Sequence, residues 1–395
     1  MNSRFPATII LFIVFLSLLS YRIDSPWQYR HDDNGKWQSS VARTHLIKGL
    51  QATKGQDFFL SGSGKELRPY LHHPPLVGLY LAAVFDLTGR DSAVTARTAT
   101  AFVHSLSFLM FVLILNIMFK HDRIAKIWAL FVFAVSPMSV FFGKMPNHEV
   151  LSLFFLLSGC YSYLQCSRHE RKNIIWMAAG CISWIAAGFS SWHALFVIAS
   201  IALYILLIEK QKTFRFGMMT FICLVIVPML VVLQMFWANG WKLPASQKTS
   251  MLHWMTASEN RSYLRCVFIA FLYNGRYTGP LPVLFSGLWL LKLLYDLFKK
   301  TIIPPLSLFI LSLGMGTFIY NLIFFRAVET HPYQQFYLLP FISISSAIFI
   351  NHVYIKLSST NKVYAVIFLS GSFLATSALS MLYLHVIYNH IIPVS

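Results

Sequence analysis

Long apolar stretches alternate with short polar segments along almost the whole chain. A helix needs about 20 apolar residues to cross the hydrocarbon core of a bilayer. The pattern therefore predicts an all-α polytopic membrane protein, a single domain over residues 1–395 with about eleven spanning helices. The spans are expected at 5–21, 98–119, 124–143, 149–166, 174–189, 192–208, 216–237, 279–297, 303–324, 334–354 and 363–386.

The connecting segments carry their basic residues on alternate sides of the predicted spans. Basic clusters such as "KHDRIAK" (120–126), "SRHERKN" (167–173) and "EKQKTFR" (209–215) all fall on one side. Short loops rich in Lys and Arg mark the cytoplasmic side. Two long segments, 22–97 and 238–278, are therefore predicted to lie outside the cytoplasm, in a periplasmic or lumenal space.

The first outer loop, residues 22–97, contains two more helical patterns. Residues 37–51 carry Trp37, Val41, Leu46 and Leu50 at close to helical spacing, which is typical of a helix lying on a membrane surface. Residues 72–89 are apolar but short, and two prolines precede them, which favours a second interfacial helix. The Gly- and Ser-rich stretch 55–70 is expected to be a loop.

Composition supports a membrane protein and argues against a nucleic-acid partner. Hydrophobic residues make up 56% of the 395, charged residues only 12%, and the mean hydropathy is +0.60, whereas soluble domains carry about 25% charged residues. The net charge of +18 is assigned to topology, because no soluble basic domain is present to carry it. The five cysteines show no metal-ligand or disulfide spacing. Residues 6–20 are interpreted as a retained first helix.

Ionisable residues gather at the predicted outer ends of the spans. Only 14 acidic residues occur in the chain, and three of them stand beside helix ends on this face. The candidates for substrate contacts or chemistry are His31, Asp32, Asp33, His72, His73, Arg97, Lys144, His148, Glu149, Arg326, Glu329 and His331. Isolated cations at a membrane boundary usually reach toward water, and Asp-Asp-Asn-Gly is also good turn chemistry, so a solvated turn is the alternative for Asp32 and Asp33.

A carboxylate pair at a membrane surface is suited to general-base chemistry. Two close carboxylates perturb each other's proton affinity, so one can accept a proton while a cation holds the other. Arg97 and Lys144 would suit an anionic leaving group such as a lipid phosphate. Carboxylates and imidazoles are also ordinary metal ligands, which leaves open a divalent ion between Asp33 and Glu149 or a neighbouring histidine.

These residues stand in an order that resembles the GT-C-fold glycosyltransferases. The closest subset holds the protein O-mannosyltransferases and the lipid A aminoarabinose transferases. The matching features are an acidic pair opening the first outer loop (Asp32-Asp33), an amphipathic helix, "HPPL" (73–76) before a second interfacial helix, and Arg97 entering the next span. "GKMPNHEVLSLFF" (143–155) is similar to the second acidic site of these families, at Glu149. "GFSSWHALFVI" (188–198) and "HPYQQFYLLPFISI" (331–344) resemble later segments.

The resemblance implies a function as well as a fold. It implies transfer of a sugar from a polyprenyl-phosphate lipid to an acceptor hydroxyl outside the cytoplasm, with inversion at the anomeric carbon. In that scheme Asp32 is the general base, Asp33 and Glu149 hold a cation or orient the acceptor, and Arg97, Lys144 and Arg326 contact the phosphate. The other predicted substrate contacts are His73, His148 and His331. The donor carries its own leaving group, so no nucleotide cofactor is expected.

Two other classes of function are compatible with a basic polytopic chain. A transporter or flippase usually places ionisable residues or broken helices near mid-membrane, and the predicted spans contain almost no Asp or Glu. A non-catalytic assembly subunit would retain the fold without the acidic residues. The acceptor stays open between protein, lipid and polysaccharide. The expected location is a bacterial inner membrane, ahead of the endoplasmic reticulum.

Overall fold

In the computed structural model of the protein, helices account for nearly all of the described residues. The described residues are 5–28, 32–60, 67–70, 73–168, 173–208, 214–240 and 263–389. Part of the second long outer segment, residues 241–262, therefore lies outside them. A helix is present at each of the eleven predicted spans, which confirms the all-α polytopic class.

The α-helices in chain order are α1 (Phe5–Ser20), α2 (Asp32–Thr53), α3 (Leu76–Thr88), α4 (Ala93–Met118), α5 (Arg123–Val135), α6 (His148–Arg168), α7 (Asn173–Ser190), α8 (Trp192–Ile208), α9 (Phe214–Ala238), α10 (Tyr263–Tyr277), α11 (Pro280–Phe298), α12 (Pro305–Ile323), α13 (Phe325–Thr330), α14 (Leu338–Thr360) and α15 (Lys362–Asn389). A π-helical turn, Met138–Phe142, follows α5, and a 3₁₀ segment, Pro332–Tyr337, leads into α14.

Seven of the described helices are long and apolar enough to cross a membrane on their own. They are α4, α6, α9, α11, α12, α14 together with its 3₁₀ segment, and α15. Shorter apolar helices are present at α1, α3, α7 and α8. The predicted span 124–143 is divided, because Pro137 cannot donate a backbone hydrogen bond and the chain continues as a π-helical turn after α5.

The first outer loop is more regular than predicted. The predicted interfacial helix is present as α2, and it begins at Asp32, so the alternative of a solvated turn at Asp32 and Asp33 is wrong. Residues 55–70 were expected to lack regular structure, but they contain a short antiparallel hairpin, β1 (Phe58–Leu60) with β2 (Leu67–Pro69). Three-residue strands are too short to give an alternating pattern that sequence can reveal.

The helix α2 has one face against the protein and another without protein cover. Val41 and His45 are buried, whereas Ile47 is 77% and Leu50 is 60% exposed. The chain kinks at Gly49, where φ is 79°, a backbone region that glycine adopts without steric penalty. Exposed large apolar side chains beside a kinked helix are the pattern of an element lying in the membrane interface, as predicted for residues 37–51.

Aromatic side chains and a few hydroxyls hold the spans together. Phe15 stacks on Phe108 at a centroid distance of 4.9 Å, which joins α1 to α4. The Trp128 indole donates a hydrogen bond to Ser346 Oγ at 3.0 Å and so joins α5 to α14. Hydrogen bonds of this kind stabilise helix association in a membrane, where apolar surface alone gives no preference for protein over lipid.

Candidate active site

Asp32 lies at the first position of α2 and is buried, with 4% of its surface exposed. Its Oδ2 atom accepts hydrogen bonds from the backbone N–H of Gln28 at 2.8 Å and from Arg97 Nη2 at 3.0 Å. A carboxylate at a helix N-terminus is also favoured by the helix dipole. These interactions fix the position of the Asp32 carboxylate.

Arg97, on α4, joins the segment before α2 to the membrane helices. Its guanidinium donates to the backbone carbonyls of Ser25 and Pro26 as well as to Asp32. The ring of Trp27 covers the guanidinium at 4.2 Å. Arg97 was predicted to contact a phosphate. In the structure its described contacts are to Asp32, the loop carbonyls and the Trp27 ring, and its contact with a phosphate stays a prediction.

The glycine at position 35, shortly after the acidic pair, leaves room for the ring of Trp27. A Cβ atom at this position would lie 2.4 Å from the Trp27 ring, closer than carbon atoms can approach. Trp27 in turn packs on Arg97. Residues 32–35 thus supply the Asp32 carboxylate and, at Gly35, the space for the Trp27 ring that covers Arg97.

A small cavity opens beside Asp32 and is rich in cations. We call it the charged cavity; it is lined by Arg22, Asp32, Arg97, Phe141, Lys144, Met145 and Tyr388. Lys144 Nζ donates to the Tyr21 carbonyl and lies 5.2 Å from the centre of the Tyr388 ring. Arg22 Nη1 donates to the Tyr388 carbonyl at 3.3 Å. Three cations thus border the cavity with a single carboxylate.

Lys144 is the cation most affected by this crowding. Burial, followed by repulsion from Arg97, lowers the pKa of Lys144 to about 7, while Asp32 opposes the shift and Arg22 adds to it. A group in this state gains its charge more readily when an anion enters the cavity. The arrangement is that of an anion site.

Two predicted residues, His148 and Glu149, form the start of α6. His148 Nδ1 donates to the Ser190 carbonyl at 2.9 Å, and its Nε2 lies 2.8 Å from Gln38 Nε2. Glu149 is 3% exposed, and its Oε2 atom has no hydrogen-bond partner among the described residues. Both ring nitrogens of His148 therefore contact protein groups, whereas Oε2 of Glu149 is available to a ligand.

Aromatic rings continue from His148 toward the hairpin. The ring of His73 stacks on that of His148 at a centroid distance of 4.3 Å, and Tyr70 stacks on His73 at 6.0 Å. Trp37 meets Tyr70 edge-on at 4.9 Å. Burial raises the pKa of Tyr70 above its usual range, and the nearby Asp57 and Glu149 carboxylates add to the shift. We call the set Trp37, Gln38, Tyr70, His73, His148 and Glu149 the polar wall.

His331 reaches the site through Tyr333. Its Nδ1 lies 2.8 Å from the Tyr333 hydroxyl, which is also 3.5 Å from Asn34 Oδ1 on α2. Burial lowers the pKa of His331 to about 4, so the imidazole is neutral near pH 7. The predicted contact of His331 with substrate would therefore be a hydrogen bond and not an ion pair.

The remaining predicted residues divide between exposed and undescribed positions. Asp33 follows Asp32 directly, but its side chain is exposed. The Arg326 and Glu329 side chains, together with residues 31 and 72, lie outside the described part of the structure. The predictions for His31, His72, Arg326 and Glu329 accordingly stay predictions.

The described donor groups do not by themselves complete a metal site. No group of three or more His, Cys, Asp or Glu that could hold an ion is present among the described residues. Protein metal sites generally use three or four side-chain ligands, although Mg²⁺ takes one or two carboxylates with substrate phosphates. A divalent ion between Asp33 and Glu149 stays a prediction, and no chemical step below depends on one.

Sequence reasoning missed four residues that border the site. Arg22 and Tyr388 come from opposite ends of the chain, and Trp27 and Gln38 have no charge to attract notice. The only available signals were an arginine directly after the first span and the four-residue spacing that puts Gln38 on the same face of α2 as Asn34.

A second buried ionisable pair lies within the outer loop, where its Asp57 carboxylate is close enough to raise the pKa of Tyr70. His45 Nε2 is 3.4 Å from Asp57 Oδ1, and His45 Nδ1 is 3.0 Å from Thr53 Oγ1. Burial raises the pKa of Asp57 to about 6, although the His45 hydrogen bond and charge act against the shift. The pair fastens the end of α2 to the segment that leads into β1.

Comparisons with known proteins identify the fold. No family model and no curated protein sequence matches the chain. The oligosaccharyltransferase AglB of Archaeoglobus fulgidus, solved with Zn and sulfate, aligns over 96% of this chain and 53% of its own length, with a TM-score of 0.61 and 14% identity. ArnT from Cupriavidus metallidurans, bound to undecaprenyl phosphate, aligns over 95% of this chain and 75% of its own, with a TM-score of 0.62 and 12% identity.

A third solved structure is AglB in complex with an inhibitory peptide and a dolichol-phosphate, with a TM-score of 0.62 and 12% identity over 96% of this chain. The chain spans only about half the length of the AglB structures. These likenesses show that the chain has the GT-C fold of both membrane enzymes, as the outer-loop motifs predicted.

Proposed function

We propose that this protein is a membrane glycosyltransferase that moves a sugar from a polyprenyl-phosphate lipid to a hydroxyl group of an acceptor. The observation that carries the proposal is the placement of one buried carboxylate, Asp32, on the wall of a cavity bordered by three cations. A base next to an anion site is what displacement of a phosphate by a hydroxyl requires. The fold of AglB and ArnT, solved with dolichol-phosphate and undecaprenyl phosphate, is in keeping with it.

The proposed reaction is a single displacement. The acceptor O–H bond breaks as its proton passes to Asp32, and the acceptor oxygen forms a bond to the anomeric carbon of the donor sugar. The bond from that carbon to the phosphate oxygen breaks on the opposite face, so the configuration inverts. The lipid phosphate leaves with one additional negative charge.

Each group around the cavity has a role in that step. Lys144 and Arg22 bind the phosphate and stabilise the charge that develops on it. Arg97 holds Asp32 in the orientation of a base. Glu149 orients the acceptor or the sugar. The active site faces the periplasm or lumen, and a bacterial inner membrane is the expected location, since the basic loops lie on the opposite side.

The test is Asp32→Asn in a transfer assay with labelled polyprenyl-phosphate sugars. Asparagine retains the shape and can still accept from Arg97, but it cannot take a proton at neutral pH. Loss of a positioned base lowers the rate by about 10²–10⁴-fold, while binding of the donor lipid should persist. The adjacent exposed carboxylate gives the matched control, and Asp33→Asn should reduce the rate much less. Retention of more than a tenth of the wild-type rate by Asp32→Asn would remove Asp32 as the base.

A further inference from the structure

Two buried oxygen atoms on the polar wall have no hydrogen-bond partner among the described residues. They are Gln38 Oε1, on a side chain that is 2% exposed, and Glu149 Oε2. A buried polar atom without a partner is destabilising, so nearly all such atoms in folded proteins are paired. The Gln38 amide oxygen can only accept, which means that a group matching it must bring a hydrogen.

The direction of the Gln38 oxygen is fixed by its neighbours. The Ser190 carbonyl can only accept, so His148 carries its hydrogen on Nδ1 and presents a lone pair at Nε2. The group that approaches this lone pair at 2.8 Å must therefore be the NH₂ of the Gln38 amide. The oxygen of that amide then points away from His148.

The surroundings of these oxygens are aromatic. His73 stacks on His148, Tyr70 stacks on His73, and Trp37 packs on Tyr70. Glu149 follows His148 in the chain, and its charge acts on Tyr70, so all of these groups share one neighbourhood. A ring with apolar faces and hydroxyl groups at its edge matches such a surface, because the faces pack on aromatic rings and the hydroxyls donate to the oxygens.

We propose that Gln38 determines specificity by accepting a hydroxyl hydrogen from a sugar ring through Oε1, with Glu149 Oε2 accepting a second. The inference rests on the proposed function and deepens it, since it names the residue that distinguishes one sugar from another. His148 and the Ser190 carbonyl act behind Gln38 as positioning groups that set its amide. The ring belongs either to the donor or to the acceptor, and both present the same chemistry to Gln38.

The experiment compares the wild-type chain with Gln38→Met in lipid nanodiscs. Methionine matches glutamine in length and lacks the acceptor. The ligands are undecaprenyl phosphate and undecaprenyl phosphate carrying glucose, mannose or galactose, with Kd measured for each. If the ring is the donor's, the wild type binds a glycosylated lipid more tightly than the bare lipid, and Gln38→Met loses about tenfold of that advantage. The Kd for bare undecaprenyl phosphate stays unchanged.

The matched control is Gln234→Met. Gln234 on α9 donates to the Gly55 carbonyl at 3.0 Å and lies outside the polar wall, so its replacement should leave every sugar preference as in the wild type. If Gln38→Met does not fold, Gln38→Asn takes its place, since it retains an amide but withdraws the oxygen by one carbon. The same tenfold loss is then expected.

Immobilised saccharides distinguish the two sources of the ring. If the sugar ring belongs to the acceptor, Gln38→Met and the wild type have the same Kd for every lipid. The wild type then binds certain immobilised saccharides, and Gln38→Met does not. Equal binding of every glycosylated lipid and every saccharide by wild type and variant overturns the proposal. A wild type that binds no polyprenyl phosphate refutes the proposed function separately, and the saccharide measurement still decides the role of Gln38.

Discussion

The charged cavity and the polar wall both include residues of α2 and differ in how their polar atoms are satisfied. In the charged cavity, Asp32 and Arg97 bond to each other and to the backbone. On the polar wall, Gln38 and Glu149 each retain an acceptor oxygen without a partner. The difference fits the two tasks that we propose. Paired charges would hold Asp32 in place as a base, whereas the unpaired oxygens of Gln38 and Glu149 would receive the hydroxyl groups of a sugar.

The largest expected effect comes from breaking the pairing in the charged cavity. Arg97→Met leaves Asp32 buried without its cation and two backbone carbonyls without a donor. Removal of one partner of a buried ion pair costs about 3–5 kcal/mol, and the thermal stability of the detergent-solubilised protein should fall accordingly. The double variant Arg97→Met with Asp32→Asn should recover part of the loss. Equal melting temperatures for wild type and Arg97→Met would show that the pair does not support the fold.

A smaller loss is expected when the cover of the same ion pair is disturbed. Gly35→Ala places a methyl group 2.4 Å from Trp27, and the ring cannot move without exposing Arg97. Overpacking of this kind costs about 1–3 kcal/mol, measured as a lower melting temperature. Gly371→Ala on α15 is the control, since nothing lies within 4 Å of the added carbon and alanine favours a helix. A loss of similar size at both glycines would contradict the contact argument.

The pH dependence of donor binding sharpens the comparison, because the charged cavity contains a lysine whose charge changes near neutral pH. The pKa of Lys144 is lowered to about 7, so Lys144 is charged below that pH and neutral above it. An anion binds the charged form, so the affinity for a polyprenyl-phosphate sugar should be highest near pH 6. It should fall about tenfold toward pH 8, following the charged fraction. The phosphodiester of the donor retains its charge throughout this range.

Lys144→Arg provides the control for this titration, because arginine stays protonated and should give an affinity that does not vary over the range. Isothermal titration in nanodiscs would measure both proteins, and binding to the wild type should take up protons near neutral pH. A wild-type affinity that rises with pH would be incompatible with Lys144 as a phosphate ligand.

The smallest effect is expected at Asp33, which is next to Asp32 but exposed. Asp33→Asn removes a charge that faces solvent, and surface substitutions usually change stability by less than about 0.5 kcal/mol. Its melting temperature should match that of the wild type, whereas Asp32→Asn should shift measurably because Arg97 loses its charged partner. Similar shifts for both variants would mean that burial does not distinguish the two carboxylates.

Much of the fold was predictable from the sequence, because membrane helices have a distinctive periodicity and an apolar composition. All eleven predicted spans contain a helix, and α2 covers the interfacial helix predicted over residues 37–51, although it begins earlier, at Asp32. The hairpin β1–β2 was not predicted, because each of its strands has only three residues. The break in the predicted span 124–143 at Pro137 was not predicted either. The residues on both sides of Pro137 are apolar, so the hydropathy does not change there.

Sequence reasoning singled out most of the charged residues of the site and overlooked the uncharged ones, and the roles predicted for them stay predictions. Lys144 and Arg97 were found from their charge, and both border the charged cavity. His148 was predicted to contact substrate, but its two nitrogens contact Ser190 and Gln38. Gln38 itself is an uncharged residue in a helix, and its importance depends on the direction of an amide, which no sequence pattern records.

The two short helices α7 and α8 have a consequence for the membrane around the site. They contain 18 and 17 residues, which at 1.5 Å per residue gives roughly 27 Å and 26 Å, against a hydrocarbon core of about 30 Å. They meet beside Ser190, whose carbonyl anchors the polar wall. A bilayer adapts to a short span by thinning locally. Lipid head groups therefore lie deeper here than elsewhere, and the acyl-chain length of the host membrane sets how easily a lipid substrate enters.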